Sequence, residues 1–294
     1  MNSRELRISS PDYEIVADLK IPDDTKSRRG IVLVHGAIIN RKSLSREFQC
    51  MANYLCKSLN AYVIIPDYQG ETIHRNDVQF KKFAEIIDIS VDYLCDEYGV
   101  EDVMGFGHSM GSYILVDAVL LNEKISHVVT YGSPTEHLLR SSEKGFINYL
   151  LSYLYSFDYK VDLRNLLHYV FDKETLRFLN DVMMKAPEFG YEHYDFNLNP
   201  EIIQDAVTIL SEYTKKLKDW GKPSLMMFGT NDILVQKSRK ALPDGHLDEN
   251  ILVKHIKNAS HVTPCMNTHV DLRKLDALLL FHKNVQKVEL INRL

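Results

Sequence analysis

Two hydrophobic patterns alternate along the first 134 residues. Gly30-Ile31-Val32-Leu33-Val34 and Tyr62-Val63-Ile64-Ile65-Pro66 are short, uninterrupted apolar runs rich in β-branched residues, the form of strands buried on both faces. Between them, Phe48, Met51, Ala52 and Leu55 recur at helical spacing. Phe83, Ile86, Ile87, Val91 and Leu94 do the same, in a helix expected to stop at Gly99, a residue suited to the left-handed conformation that ends helices. Val103-Met104-Gly105-Phe106 and His127-Val128-Val129-Thr130-Tyr131-Gly132 read as further strands, and Arg7 to Ser9 with Ile15 to Leu19 as an opening hairpin turning at Pro11-Asp12. Strands alternating with amphipathic helices predict an α/β protein with a mostly parallel central sheet flanked by helices.

From about Thr135 to Lys222 the alternation stops. Helical stripes replace it, first Phe146, Tyr149, Leu150, Tyr153, Leu154 and Phe157, later Ile203, Ala206, Val207 and Leu210. Pro223 closes this insertion; Ser224 to Gly229 returns to the strand pattern, Ile251-Leu252-Val253 is expected as the final strand, and Leu272, Leu275, Leu278 and Leu279 mark a closing helix. The chain thus divides into a core, residues 1–134 and 223–294, and a helical insertion over 135–222.

Composition narrows the function classes. A 294-residue chain that is 45% hydrophobic can bury a substantial core. Its charged residues are mixed in sign, with a net charge of -5, so no basic face is expected to attract nucleic acid. Cys50, Cys56, Cys95 and Cys265 sit singly, without a CxxC pair or a His/Cys cluster, which argues against a metal site or a disulfide scaffold and for reduced thiols in a cytoplasmic protein. The first residues are polar, and no apolar run reaches the roughly 18 residues needed to span a bilayer, so neither export nor membrane insertion is expected.

The strongest chemical signal is Gly107-His108-Ser109-Met110-Gly111, a G-x-S-x-G sequence between a predicted strand and a predicted helix running from about Met110 to Leu121. A serine at such a sharp turn is forced into a strained backbone conformation, and its neighbours two positions away must be nearly without side chains. The turn lifts the hydroxyl above the sheet edge. The helix that follows aims backbone N–H groups at the adjacent space, where an oxyanion would form.

A serine hydroxyl needs a base to take its proton and a carboxylate to orient that base. The strand, elbow and helix resemble the α/β-hydrolase arrangement, which implies the chain order serine, acid, histidine, with the last two on loops after the final strands. Asp232 follows the strand ending at Gly229, and His261 follows the strand at Ile251 to Val253, in Lys257-Asn258-Ala259-Ser260-His261. The competitors are His255, placed within the final strand, and Asp244 and Asp248, placed in a polar helix or loop; each reads more simply as a solvated surface group. His108 and the remaining histidines read as packing or surface residues. For the oxyanion hole, the N–H of Met110 would be joined by that of Ala37 in Val34-His35-Gly36-Ala37, with His35 supporting the loop.

These motifs, together with Pro66-Asp67-Tyr68-Gln69-Gly70, resemble the α/β-hydrolase superfamily, especially the branch holding monoacylglycerol lipases, carboxylesterases and serine aminopeptidase-like hydrolases. The resemblance implies the α/β-hydrolase fold, a structural turn over Asp67 to Gly70, and a cap over the active site formed by the insertion. The loop after Val34 lacks the His-Gly-Gly-Gly form of hormone-sensitive-lipase relatives and the His-Gly-Gly-Pro form of proline iminopeptidases, which argues against both.

The favoured activity is hydrolysis of a small carboxylic ester through an acyl-enzyme, with no metal or cofactor. Three alternatives stay open. The same acyl-enzyme could serve an amidase, aminopeptidase or acyltransferase, with Glu143, Glu188 or Glu192 of the insertion available to receive a free amine. The fold also supports carbon–carbon bond hydrolysis and cofactor-free peroxidation, and in principle a non-catalytic binding scaffold. Oligomeric state is not legible in the sequence.

Overall fold

The apolar runs become the interior strands of one sheet because only a strand covered on both faces can bury every side chain it carries. The computed structural model describes residues 2–12, 14–36, 47–68, 80–133, 161–162, 197–198, 212–232, 242–259, 261, 281 and 283–285. In chain order the elements are β1 (Asn2–Ser9), β2 (Glu14–Ile21), β3 (Arg29–Val34), α1 (Glu47–Leu59), β4 (Tyr62–Asp67), α2 (Phe80–Tyr98), β5 (Asp102–His108), α3 (Met110–Ala118) and β6 (Ile125–Tyr131). They continue with β7 (Val161–Asp162), β8 (Asn197–Leu198), β9 (Ser224–Gly229), β10 (Gly245–Asp248) and β11 (Ile251–Ile256).

Nine strands form the main sheet, in the order β1-β2-β4-β3-β5-β6-β9-β11-β10. The six from β4 to β11 run parallel. The opening hairpin joins antiparallel at one edge through β2 and β4, and β10 caps the other edge antiparallel to β11. Alternation along β3 divides the core: Val32 and Val34 pack with Phe83, Ile87 and Val91 of α2 and with α3, whereas Ile31 and Leu33 pack with Phe48, Met51 and Leu55 of α1. Each such side chain, fully buried, contributes roughly 1.5–3 kcal/mol. Helices therefore cover both faces, and the carboxyl edge of the parallel strands is the usual place for a site in such a sheet.

Several differences from the sequence reading have physical causes. β1 begins at Asn2 because its exposed outer positions tolerate polar residues while Leu6 and Ile8 anchor its far end. Asp244 lies in the loop as expected, but Asp248 lies in the edge strand β10; a half-exposed four-residue strand carries no hydrophobic alternation to betray it. β11 extends to Ile256, and α3 ends at Ala118.

Of the insertion, the structure describes a two-residue antiparallel ladder, β7 with β8, which the helical stripes did not announce, and helical residues 212–220. That helix is seated on the core. The Tyr213 ring meets Tyr113 edge-on at 5.1 Å, its hydroxyl donates to Ser133 Oγ at 3.3 Å, and Lys216 pairs with Asp117 at 2.6 Å. The two stripes at 146–157 and 203–210 and the closing helix at 272–279 lie outside the described residues. No helix among the described residues is long and apolar enough to cross a membrane.

Candidate active site

Strand β5 ends at His108, and the chain turns at Ser109 with φ 52° and ψ -122° before entering α3. No other residue of this elbow needs so unusual a backbone. The turn is held by Ser109 N–H donating to Tyr131 O at 2.8 Å and Ser112 N–H donating to Ser109 O at 3.0 Å. It closes only because its flanks are glycine: a Cβ on Gly111 would lie 2.2 Å from the His35 carbonyl oxygen, and one on Gly107 2.6 Å from Ser112 Cα. Met110 is the first residue of α3, where helix geometry leaves the backbone N–H without an intrahelical partner.

Asp232 and His261 come from loops at the same edge. Asp232 stands three residues beyond β9 and is completely buried; His261 follows β11 and is 3% exposed. The loops are bonded to one another: Thr230 N–H donates to Ile256 O at 3.0 Å, Asn231 N–H to Ala259 O at 2.8 Å, and Asn258 N–H to Thr230 Oγ1 at 2.8 Å. The structure brings the three residues into one line, with His261 Nδ1 2.8 Å from Asp232 Oδ2 and His261 Nε2 2.9 Å from Ser109 Oγ. A carboxylate facing Nδ1 selects the Nδ1–H tautomer, which leaves the Nε2 lone pair to accept the serine proton.

Two residues shape this line that the sequence reading passed over. Gly132, directly after β6, has φ 65°, and a Cβ there would lie 3.0 Å from His261 Nδ1 and 3.4 Å from Asp232 Oδ2. It is the floor beneath the histidine–carboxylate pair, and any side chain would wedge between them. His108, read as a packing residue, donates from Nε2 to the main-chain carbonyl of His261 at 2.9 Å.

The loop after β3 runs beside Ser109, so close that a Cβ on Gly36 would lie 3.3 Å from Ser109 Cβ. Ala37, expected as the second oxyanion donor, lies outside the described residues, as do Gln69 and Gly70. His35 holds the near side of that loop. Its ring stacks on Tyr68 at 4.0 Å, the Tyr68 hydroxyl donates to the His35 carbonyl, and its own Nδ1–H donates to Gly36 O at 3.0 Å. Complete burial pushes the His35 pKa down to about 4. The 3.9 Å approach of its Nε2 to Asp67 is consequently not an ion pair at neutral pH.

This burial has a measurable consequence. A histidine whose folded pKa, about 4, lies below its unfolded value near 6.5 takes up its proton first in the unfolded chain. Its contribution to stability is complete above pH 6.5 and is lost as pH falls toward 4, by up to about 3 kcal/mol at 1.36 kcal/mol per unit. Urea denaturation should therefore find that His35→Gln destabilises the protein most at pH 7 and much less at pH 4.5. A difference that does not change with pH would refute the neutral, buried state of this ring.

The competing residues form a separate pair. His255 is buried in β11, contrary to its reading as a surface group, with its backbone N–H donating to Asp244 Oδ1 at 2.5 Å and its Nδ1 lying 3.0 Å from the same oxygen. The two backbone and side-chain bonds from His255 draw the Asp244 carboxyl below its usual range despite partial desolvation, the largest single influence, which acts the other way. Asp248 is drawn down by Lys218, 3.0 Å away. No group of three or more His, Cys, Asp or Glu side chains able to hold a metal ion occurs among the described residues.

Comparison with known proteins agrees with this architecture. Among solved structures, the chain is similar to a thermophilic esterase from Thermogutta terrifontis, with a TM-score of 0.57 at 14% identity over 97% of this chain and 99% of that one. It is similar to proline iminopeptidase from Mycobacterium smegmatis, with 0.58 at 14% over 97% and 100%. It is also similar to 2-hydroxy-6-oxo-6-phenylhexa-2,4-dienoate hydrolase from Rhodococcus sp. strain RHA1, with 0.60 at 17% over 96% and 99%. At such identities the likeness is one of fold. No curated protein is significantly similar to the chain. The family described as alpha/beta hydrolase fold matches residues 31–264, from the third strand to just past His261, and the chain belongs to that family.

Proposed function

We propose that the protein is a serine hydrolase that cleaves carboxylic esters of short to medium acyl chains. The observation that carries this reading is the hydrogen-bonded line from Ser109 Oγ through His261 to the buried Asp232, set on a strained elbow at the amino end of α3. In this reading Ser109 attacks the ester carbonyl while His261 Nε2 takes its proton. His261 then returns that proton to the departing alcohol, leaving an acyl-serine. Water, deprotonated by the same nitrogen, releases the acid. Asp232 holds the tautomer and balances the imidazolium that forms twice per turnover. The N–H groups of Met110 and Ala37 are assigned to the oxyanion.

The preference for shorter acyl chains rests on residues 135–222, assigned here as a cap whose apolar helical stripes must cover both a core and a pocket wall. Each buried methylene adds up to about 0.8 kcal/mol, or about fourfold in binding. Across a p-nitrophenyl ester series, kcat/KM should therefore rise from acetyl to butyryl or hexanoyl, then fall once the enclosed pocket is full. A monotonic rise to palmitoyl would point to an open, lipase-like groove. Absence of ester turnover beside clear cleavage of aminoacyl amides would transfer the assignment to a peptidase.

A further inference from the structure

The sheet sets the active line a geometric problem. β5, which ends in the elbow, and β11, which leads to His261, are separated by β6 and β9. Three inter-strand intervals of about 4.8 Å put them roughly 14 Å apart. The loop after β11 must lean back across two strands to bring His261 Nε2 within 2.9 Å of Ser109 Oγ. The bonds between the 230–232 and 256–259 segments hold the acid to the histidine loop. They leave open how that unit is registered against the nucleophile.

We infer that His108 is a positioning residue that fixes this register, its Nε2–H bonding the elbow to the main-chain carbonyl of His261. The inference rests on the reading of Ser109 and His261 as nucleophile and base. The bond is 2.9 Å long, joins residues 153 apart in the chain, and is buried at both ends. A carbonyl can only accept, so the bonded ring nitrogen carries the proton. The His108 ring is 1% exposed, with its centroid 5.3 Å from that of His261 and 6.1 Å from that of Tyr131. A ring so enclosed has little room to swing away. His108 also directly precedes Ser109, so the tether and the nucleophile share one short piece of backbone. Loss of the bond lets the His261 loop drift while leaving Asp232 attached to it. A misplacement of about 1 Å at the reacting atoms typically costs on the order of 100-fold in rate.

The test compares His108→Phe, which keeps the ring and removes the donor, with His108→Gln, which discards the ring but carries an N–H at nearly the same reach. Fluorophosphonate labelling rate is read first, since it does not depend on the acyl substrate, followed by kcat and KM on p-nitrophenyl butyrate; Ser109→Ala and His261→Ala serve as references. The Phe variant should lose about 10- to 100-fold in labelling rate and kcat with KM nearly unchanged, and the Gln variant should recover most of that loss. A purely packing role predicts the reverse order, and that order, equal losses, or wild-type rates in both variants would overturn the inference. Labelling of Ser109→Ala as fast as wild type would instead overturn the nucleophile assignment beneath it. Should either variant fail to fold, long-range 15N–1H correlation on the wild-type protein decides. The His108 ring should carry a proton on Nε2; a ring protonated on Nδ1 alone overturns the inference.

Discussion

Ser109→Ala is expected to give a folded protein that a fluorophosphonate no longer labels and whose kcat is about 10⁶-fold lower, leaving only what binding and the oxyanion donors supply. Folding should survive because alanine keeps the Cβ and bears the same φ of 52° that serine already bears. On the proposed assignment the effect is large because the Ser109 Oγ is the atom that forms the new bond. His261→Ala should lose a comparable factor, since no other ring nitrogen among the described residues is hydrogen-bonded to Ser109 Oγ. His255→Ala is the informative contrast: its ring is buried and bonded to Asp244, so its removal should lower stability while turnover per folded molecule persists. Mass spectrometry of the labelled wild-type protein should find the adduct on Ser109 alone. An adduct elsewhere, or none on folded protein, removes the assignment.

Asp232→Asn should cost roughly 10⁴ in kcat with KM little changed. The amide replaces an acceptor with a donor opposite His261 Nδ1, now 2.8 Å away, and the ring answers by carrying its proton on Nε2. In that tautomer the nitrogen facing Ser109 donates where it should accept, and the hydroxyl stays protonated. Asparagine is nearly the same size as aspartate, so the buried site should not lose its packing. The control is Asp244→Asn, at a carboxylate that also faces a histidine Nδ1 but belongs to the β10–β11 edge. Its kcat should stay near that of wild type. A collapse in that variant with a normal Asp232→Asn would exchange the two roles.

Much of this geometry could be read from the chain because the candidate residues sit next to strong patterns. Ile31 to Val34 and Val103 to Phe106 are so uniformly apolar that only a covered strand can use them, and Ser109 follows one of these strands immediately. Asp232 and His261 were accessible by the same logic, each lying a few residues past a strand that must end at the same edge. What escaped was made by contacts between distant parts of the chain. Nothing in Tyr131-Gly132-Ser133 shows that the glycine will lie against His261, and nothing in Gly107-His108-Ser109 reveals a bond to a carbonyl 153 residues later. The edge strand β10 escaped for another reason: at a sheet margin Gly-His-Leu-Asp is as compatible with a turn as with a strand, and only its pairing with β11 decides.

The order of strands also separates the reactive parts in time. The elbow belongs to the first half of the chain, whereas His261, whose Nε2 lies against Ser109 Oγ, is synthesised 152 residues later. At about 5–20 residues per second a ribosome takes roughly 8–30 s to cover that distance. On the proposed assignment, the serine spends that interval without its base or acid, unable to attack the esters and thioesters around it. On that assignment the serine becomes reactive only when β9 docks against β6 and β11 against β9. On this assignment the nascent protein is its own zymogen, with completion of the fold taking the place of proteolytic activation.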